Sequence, residues 1–407
     1  MPITTQTQTL SSIMKNEIKI LLMLIASQFE LNAQNRLPTD HQFSYEIENQ
    51  LAKGEMQSPT ASYYYTFIGD YHSAITTYDI PISWGLDTIQ TDGYKTAAAI
   101  NRIIDVAKDR DLVIISESHL KPQHRIFAKR VIDSLANYGY RHLGIEALTP
   151  ELSFPTQLLD SNLNHRGYPL FAESGFFARE PQMAELIRSA LKNNYQIFGY
   201  ESQQSITDKD RDEMQADNVI QYLNNNRGQK AILLCGWHHA IESDDIKRRS
   251  SYWMAKYVKD KTELDPLTIY QDNFTEKVIY NEHELISNIG AIEPVILLDR
   301  DDKVARLSNQ VDIEVIHPKT KYFNGRPNWL YKDISYKEYK LDKEWIKIDY
   351  PLFFMAFYPE EQYDGTPVDI IEMKDRYDQR NLILKPGPYI IKVYNKVDSQ
   401  KMEIRIE

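Results

Sequence analysis

Four apolar runs in this 407-residue chain end on an acid or an imidazole. Leu112–Ile115 runs into Ser116-Glu117-Ser118-His119, and His142–Ile145 ends on Glu146. Gln196–Tyr200 ends on Glu201, and Ala231–Cys235 runs into Gly236-Trp237-His238-His239. Glu and His are the side chains that most readily exchange protons with a reacting group, and both also ligate divalent metals. Two chemistries therefore fit. In one, a carboxylate and an imidazole activate water directly. In the other, they hold Zn, Mn or Co, which polarises a carbonyl and lowers the pKa of bound water. Crowding Glu117, Glu146 and Glu201 should raise at least one carboxylate pKa, because like charges disfavour joint ionisation.

The elements that would position these groups follow from periodicity. Ile100, Ile103, Ile104 and Ala107 repeat at helical spacing, as do Ala128, Val131, Ile132 and Leu135 before a stop at Gly139. Pro181 opens a helix with Met183, Leu186, Ile187 and Ala190 on one face. A further helix opens after Thr207 and buries Ala216, Val219, Ile220 and Leu223, and another spans the region around Asp245–Lys259. Strands at Leu267–Tyr270, Pro294–Leu298 and Val311–Ile316 complete the sheet. Helices alternating with strands predict an α/β fold with a mostly parallel sheet flanked by helices, and the strand-end groups then converge on one rim. Residues 34–90 read as an N-terminal helical element, 91–335 as the α/β domain, and 340–407 as a small antiparallel β module. The long irregular stretch 149–178 reads as a lid or substrate wall.

Composition narrows the partners. A net charge of −11 and a pI near 5.5 argue against nucleic acid or an anionic membrane, which need a basic face. The single cysteine, Cys235, leaves no intramolecular disulfide and reads as a core thiol. Met14 is a plausible start, with Lys15 and Lys19, the apolar Ile20–Ala26 and the small-residue site Leu31-Asn32-Ala33 behind it. Residues 1–33 thus read as a signal peptide, or alternatively as an amphipathic helix, and an exported protein, periplasmic or secreted, is expected. No transmembrane span is expected in the mature chain.

Ile115-Ser-Glu-Ser-His-Leu-Lys-Pro-Gln-His-Arg, Gly144-Ile-Glu-Ala-Leu and Leu234-Cys-Gly-Trp-His-His-Ala resemble, in order and spacing, the erythromycin-esterase-like, ChaN-like and Tiki-like proteins. The Arg211–Asn218 stretch and Arg179-Glu180-Pro181 are similar to helix openings in the same relatives, and the likeness covers roughly residues 91–320. Ser116 stands where Gly is usual and Trp237 where Asn is usual. The resemblance implies an acid–base pair of His119 and Glu146, with His239 beside the developing oxyanion and Glu117 as a further catalytic candidate. Tiki-like relatives imply a divalent metal on Glu117, His119, Glu146 and His239; ChaN-like ones imply non-covalent haem without turnover.

Substrate-binding candidates are Arg211, whose fork suits a carboxylate, and Glu201, His238 and His124. Strand alternation turns His238 away from His239, and His142 falls at the far rim. The expected function is an exported hydrolase of a small-molecule ester or amide; the alternative is a haem- or metal-binding protein. A third reading leaves the site inactive and gives the C-terminal module a glycan or a partner to bind.

Overall fold

Eight strands form the central sheet of the computed structural model, and β2 (Leu112–Glu117) and β5 (Lys230–Gly236) at its centre carry apolar runs buried on both faces, as expected of parallel strands covered on two sides. The structure describes residues 41–81, 89, 93–202, 210–245, 251–332, 334–361 and 364–407. The leader-like residues 1–33 and Thr207 lie outside them. The strands are β1 (Lys95–Ala98), β2 (Leu112–Glu117), β3 (Tyr140–Ile145), β4 (Gln196–Phe198), β5 (Lys230–Gly236), β6 (Leu267–Phe274), β7 (Val295–Leu298) and β8 (Ile313–Ile316). Their order is β1-β7-β8-β6-β2-β5-β3-β4. β7 runs against both of its neighbours. β8, β6, β2, β5, β3 and β4 run parallel.

Alternation along β2 divides the core into two layers. Val113 and Ile115 pack under the helices Ala99–Ala107, Pro122–Leu135 and Pro181–Lys192. Leu112 and Ile114 face the helices Arg211–Asn225 and Met254–Lys261. β5 enters between β2 and β3, so the connection leaving β2 skips a strand. In parallel sheets, ligands bind outside the carboxyl ends of strands where such a crossover occurs, here β2, β5 and β3.

Two helices differ from their sequence signals. The one expected around Asp245–Lys259 covers Met254–Lys261, because the Met254 N–H is capped by Asp212 Oδ1 at 3.0 Å. The one expected after Thr207 begins at Arg211, with Asp210 as its cap residue. β4 ends at Phe198, short of Tyr200.

The first three described helices pack against the C-terminal strands. Helices Ser44–Ala52, Ser58–Phe67 and Tyr71–Thr77 precede the sheet. Near the C-terminus, Asp369–Met373, Leu352–Phe357, Gly387–Tyr394 and Ser399–Ile406 form a four-stranded antiparallel sheet in that order. Phe43, Ile47, Ala61 and Tyr65 bury against Phe353, Met355 and Ile370 of this sheet. Gly69, at φ +71°, makes the close approach possible: a Cβ there would lie 2.1 Å from the Ile370 carbonyl oxygen. The C-terminal module is clamped to the α/β body by Arg188, which donates to both Glu361 oxygens at 2.6 Å, and by Thr366 Oγ1 on the Ala178 carbonyl at 2.8 Å. Among the described residues no helix is long and apolar enough to cross a membrane.

Candidate active site

The last residue of β2 begins the site. Glu117 is buried, accepts from Arg125 Nε at 3.1 Å, and is hydrogen-bonded to His119 Nδ1. Arg125 is itself held by Glu180 Oε2 at 2.9 Å, so the carboxylate behind His119 cannot swing away. The His119 ring stacks on Phe177 (3.9 Å between centroids, 24°) and meets Trp237 at 4.5 Å and the edge of Tyr63 at 6.3 Å. Phe177 comes from the irregular wall and Tyr63 from the N-terminal helices. Three distant segments thus fix one imidazole.

A second imidazole is built the same way. His239 Nδ1 bonds Asp212 Oδ1 at 2.5 Å, while its Nε2 lies 3.3 Å from Glu146 Oε1 and 3.0 Å from Arg211 Nη1. Arg211 Nη2 also bonds Glu146 Oε1 at 2.5 Å and pairs with Glu201, which Nε meets at 3.0 Å. The other Glu146 oxygen accepts the Gly236 N–H. Gly236 is needed for its size: a Cβ there would lie 2.7 Å from His119 Nε2 and 3.2 Å from Glu146 Oε2. Glu146 therefore sits between two imidazoles, each oriented from behind by a carboxylate.

The charges divide the labour. Burial alone would raise Glu146, but His239, His119 and Arg211, with the Gly236 N–H, hold its pKa well below the usual carboxylate range. Glu117 is likewise lowered, because Arg125 and His119 outweigh its burial. The expected upward shift from crowded carboxylates is thus corrected for both: a guanidinium stands in each half of the cluster. For His239, burial works against the charged form, yet Glu146 and Asp212 raise its pKa. When neutral, His239 Nε2 accepts from Arg211; when protonated, the same atom donates to Glu146. Burial, followed by Tyr78 and Glu117, pushes the Tyr63 phenol up to about 12, so it stays protonated. His119, Glu146 and His239 are each less than a tenth exposed, whereas the Arg211 side chain is 40% exposed and marks the open side.

The donor set does not fit the metal that Tiki-like relatives imply. Among the described residues no group of three or more His, Cys, Asp or Glu is arranged to hold a metal ion. The Arg211 guanidinium already contacts the Glu146 oxygen and the His239 nitrogen that a cation would use.

Among the sequence candidates, the structure brings together Glu117, His119, Glu146, Glu201, Arg211 and His239. Two substrate-binding candidates fall away. His124 is fully buried, accepts the Ser118 N–H through Nδ1 at 3.1 Å and stacks on His317, so it is structural. His238 packs 5.0 Å from Trp253 and 6.3 Å from Tyr270. His142 bonds Tyr222 at 2.8 Å, and Cys235 is a buried free thiol. Ser116 needs no glycine conformation: it is an ordinary β2 residue bonded to Gln271. Trp237 adopts φ +36°, an uncommon value for a bulky residue, and its indole N–H donates to Ser118 Oγ at 3.1 Å. Asp212, Arg125, Glu180, Tyr63 and Phe177 complete the site without having been marked as site residues. Of these, Asp212 had a usable signal, being adjacent to Arg211 at a helix start.

No protein-family model matches this sequence, and no curated protein is significantly similar to it. Solved structures overlap it loosely. The type III effector HopBA1 is 14% identical, with 55% of this chain on 97% of that one and a TM-score of 0.35. RRSP, a MARTX toxin effector domain from Vibrio vulnificus, is 16% identical, with 42% of this chain on 36% of that one and a TM-score of 0.30. A bacterial protein toxin is 17% identical over 42% of this chain and 36% of its own, with a TM-score of 0.31.

Proposed function

We propose that the chain hydrolyses an ester or amide bond by direct acid–base chemistry. The observation that carries this reading is the pair of carboxylate-backed imidazoles facing one ionised Glu146 beside an accessible guanidinium. With its Nδ1–H held by Glu117, His119 keeps Nε2 as the acceptor for a proton from water. His239, raised in pKa by Glu146 and Asp212, is the imidazolium that returns a proton to the leaving group. Glu146 stays ionised and stabilises whichever imidazole is charged, so the acid–base pair expected of His119 and Glu146 becomes one of His119 and His239. Arg211, on the open side, faces the oxyanion that develops when water adds to the carbonyl. Export rests on the leader-like pattern of residues 1–33.

The test is turnover of a panel of activated esters and anilides. His119→Ala and Glu146→Gln should each lose at least about a hundredfold in kcat, the usual worth of a positioned general base, with unchanged circular dichroism. Wild-type rates in both variants would remove the mechanism.

A further inference from the structure

A second surface, apart from the Glu/His cluster and independent of the hydrolase reading, has the makings of a binding site. Tyr322, Phe323, Asn324, Asn328, Tyr331 and Glu338 line an open depression of about 610 Å³. That lies within the range of small-molecule sites, roughly 300–1,000 Å³. The depression is built on a tight hairpin in which Tyr322–Phe323 pairs with Arg326–Pro327. Asn324 and Gly325 close the turn at φ +48° and +72°, as a two-residue Asn-Gly hairpin requires. Arg326 fixes the hairpin from behind: it is buried, pairs with Asp369 and donates to the Gly69 carbonyl at 3.1 Å.

On this anchored frame Phe323 is 54% exposed. Tyr322 beside it is held by the edge of His72, with centroids 5.4 Å apart at 82°. Two aromatic rings are thus presented on a rigid support. Polar groups of both kinds surround them. Glu338 accepts from the Tyr331 hydroxyl, from Asn381 Nδ2 at 2.8 Å and from Asn324 Nδ2 at 3.4 Å. A carboxylate has about four acceptor positions, so one is left for a ligand. Asn328 uses its side-chain oxygen on the Lys321 N–H at 2.8 Å, which leaves its NH₂ group to donate.

This combination suits a sugar ring. A pyranose has an apolar C–H face that settles on the negative face of an aromatic ring, and hydroxyls around its edge that both donate and accept. A wholly apolar ligand would leave the amides and the carboxylate unused. An anion would meet no Lys or Arg in the lining. We propose that this depression binds a neutral saccharide, with Phe323 and Tyr322 as its stacking platform and Asn324, Asn328 and Glu338 reading its hydroxyls.

The intact chain is run through native gels containing hydroxyethylcellulose, soluble starch, galactomannan, xylan or glycol chitin. At least one of these should retard it with millimolar affinity or better per sugar site. Phe323→Ala should weaken that retardation about tenfold, the worth of one aromatic contact, while Phe323→Tyr keeps it. The side chain is exposed, so the melting temperature of both variants should stay at the wild-type value. Migration unaffected by all five polysaccharides would overturn the proposal, as would retardation that Phe323→Ala leaves unchanged. So would an intact chain that self-associates in sedimentation velocity through Phe323 and is not retarded, since the surface would then meet a second copy instead of a glycan.

Discussion

At the scale of single residues, the site depends on two imidazoles that share Glu146 and differ in their surroundings. The difference sets a pH dependence. Glu146 raises the pKa of His239, so Glu146→Gln should lower it, and the alkaline limb of any residual kcat/KM profile should move to lower pH. An unmoved limb would mean that His239 is not the acid. Stability has two edges for the same reason. Glu117 and Glu146 have folded pKa values below their usual 4.5, so their contribution is present above that pH and lost as pH falls through the folded values. His239 lies above its usual 6.5, so its contribution is full below that pH and fades as pH rises through the folded value. Melting temperatures followed across pH should therefore decline on both sides of the interval between 4.5 and 6.5, and His239→Gln should flatten the alkaline side. Gly236→Ala tests the packing: its Cβ would displace His119 from a ring position fixed by Glu117 and Phe177. A shift of that size should cost about a hundredfold in kcat, with little change in melting temperature.

The elements were the most legible level. Apolar runs bounded by turn residues located strands β2, β3 and β5 through β8 to within a few residues, because strands buried on both faces are largely apolar; β6 runs on to Phe274 through the buried polar residues Gln271, Asp272 and Asn273. His119, Glu146 and His239 were visible for the same reason: parallel strands deliver their carboxyl ends to one rim. Helix starts were less legible where a distant side chain makes the cap, as Asp212 does for Met254. The two substrate-binding candidates that failed were short-range readings. His124 follows a strand end and His238 adjoins a site residue, but neither fact settles which way a ring turns once Ser118 or Trp253 offers a partner. Between elements, the Arg188–Glu361 pair should matter for stability. Both side chains are buried, so Arg188→Leu strands a carboxylate and should destabilise the fold by about 3–5 kcal/mol. Chemical denaturation measures this, and a change below about 1 kcal/mol, typical of an exposed pair, would contradict it.

Across the whole molecule, the α/β body supplies the ionisable groups, and the chain's ends supply much of the wall. Tyr63 comes from the N-terminal helices, which bury their apolar face on the C-terminal sheet. Thr366 holds the carbonyl of Ala178, the residue after Phe177. This long-range arrangement was hidden in the sequence, since no local pattern ties residues 43–68 to residues 353–370. It also changes the standing of residues 340–407, which read as an appended module yet form part of the N-terminal helices' core. Removing them should expose Phe43, Ile47 and Tyr65 and yield an aggregating or partly unfolded chain. A monodisperse truncated protein that melts like the intact one would show the module to be separable.

The most direct measurement of the central claim is imidazole rescue of His119→Ala, read on an ester that the intact protein hydrolyses. If His119 is the base, the variant is nearly inactive and free imidazole restores part of the rate in a saturable way, while Glu146→Gln is not rescued. A His119→Ala protein that works at the wild-type rate without imidazole would contradict the account.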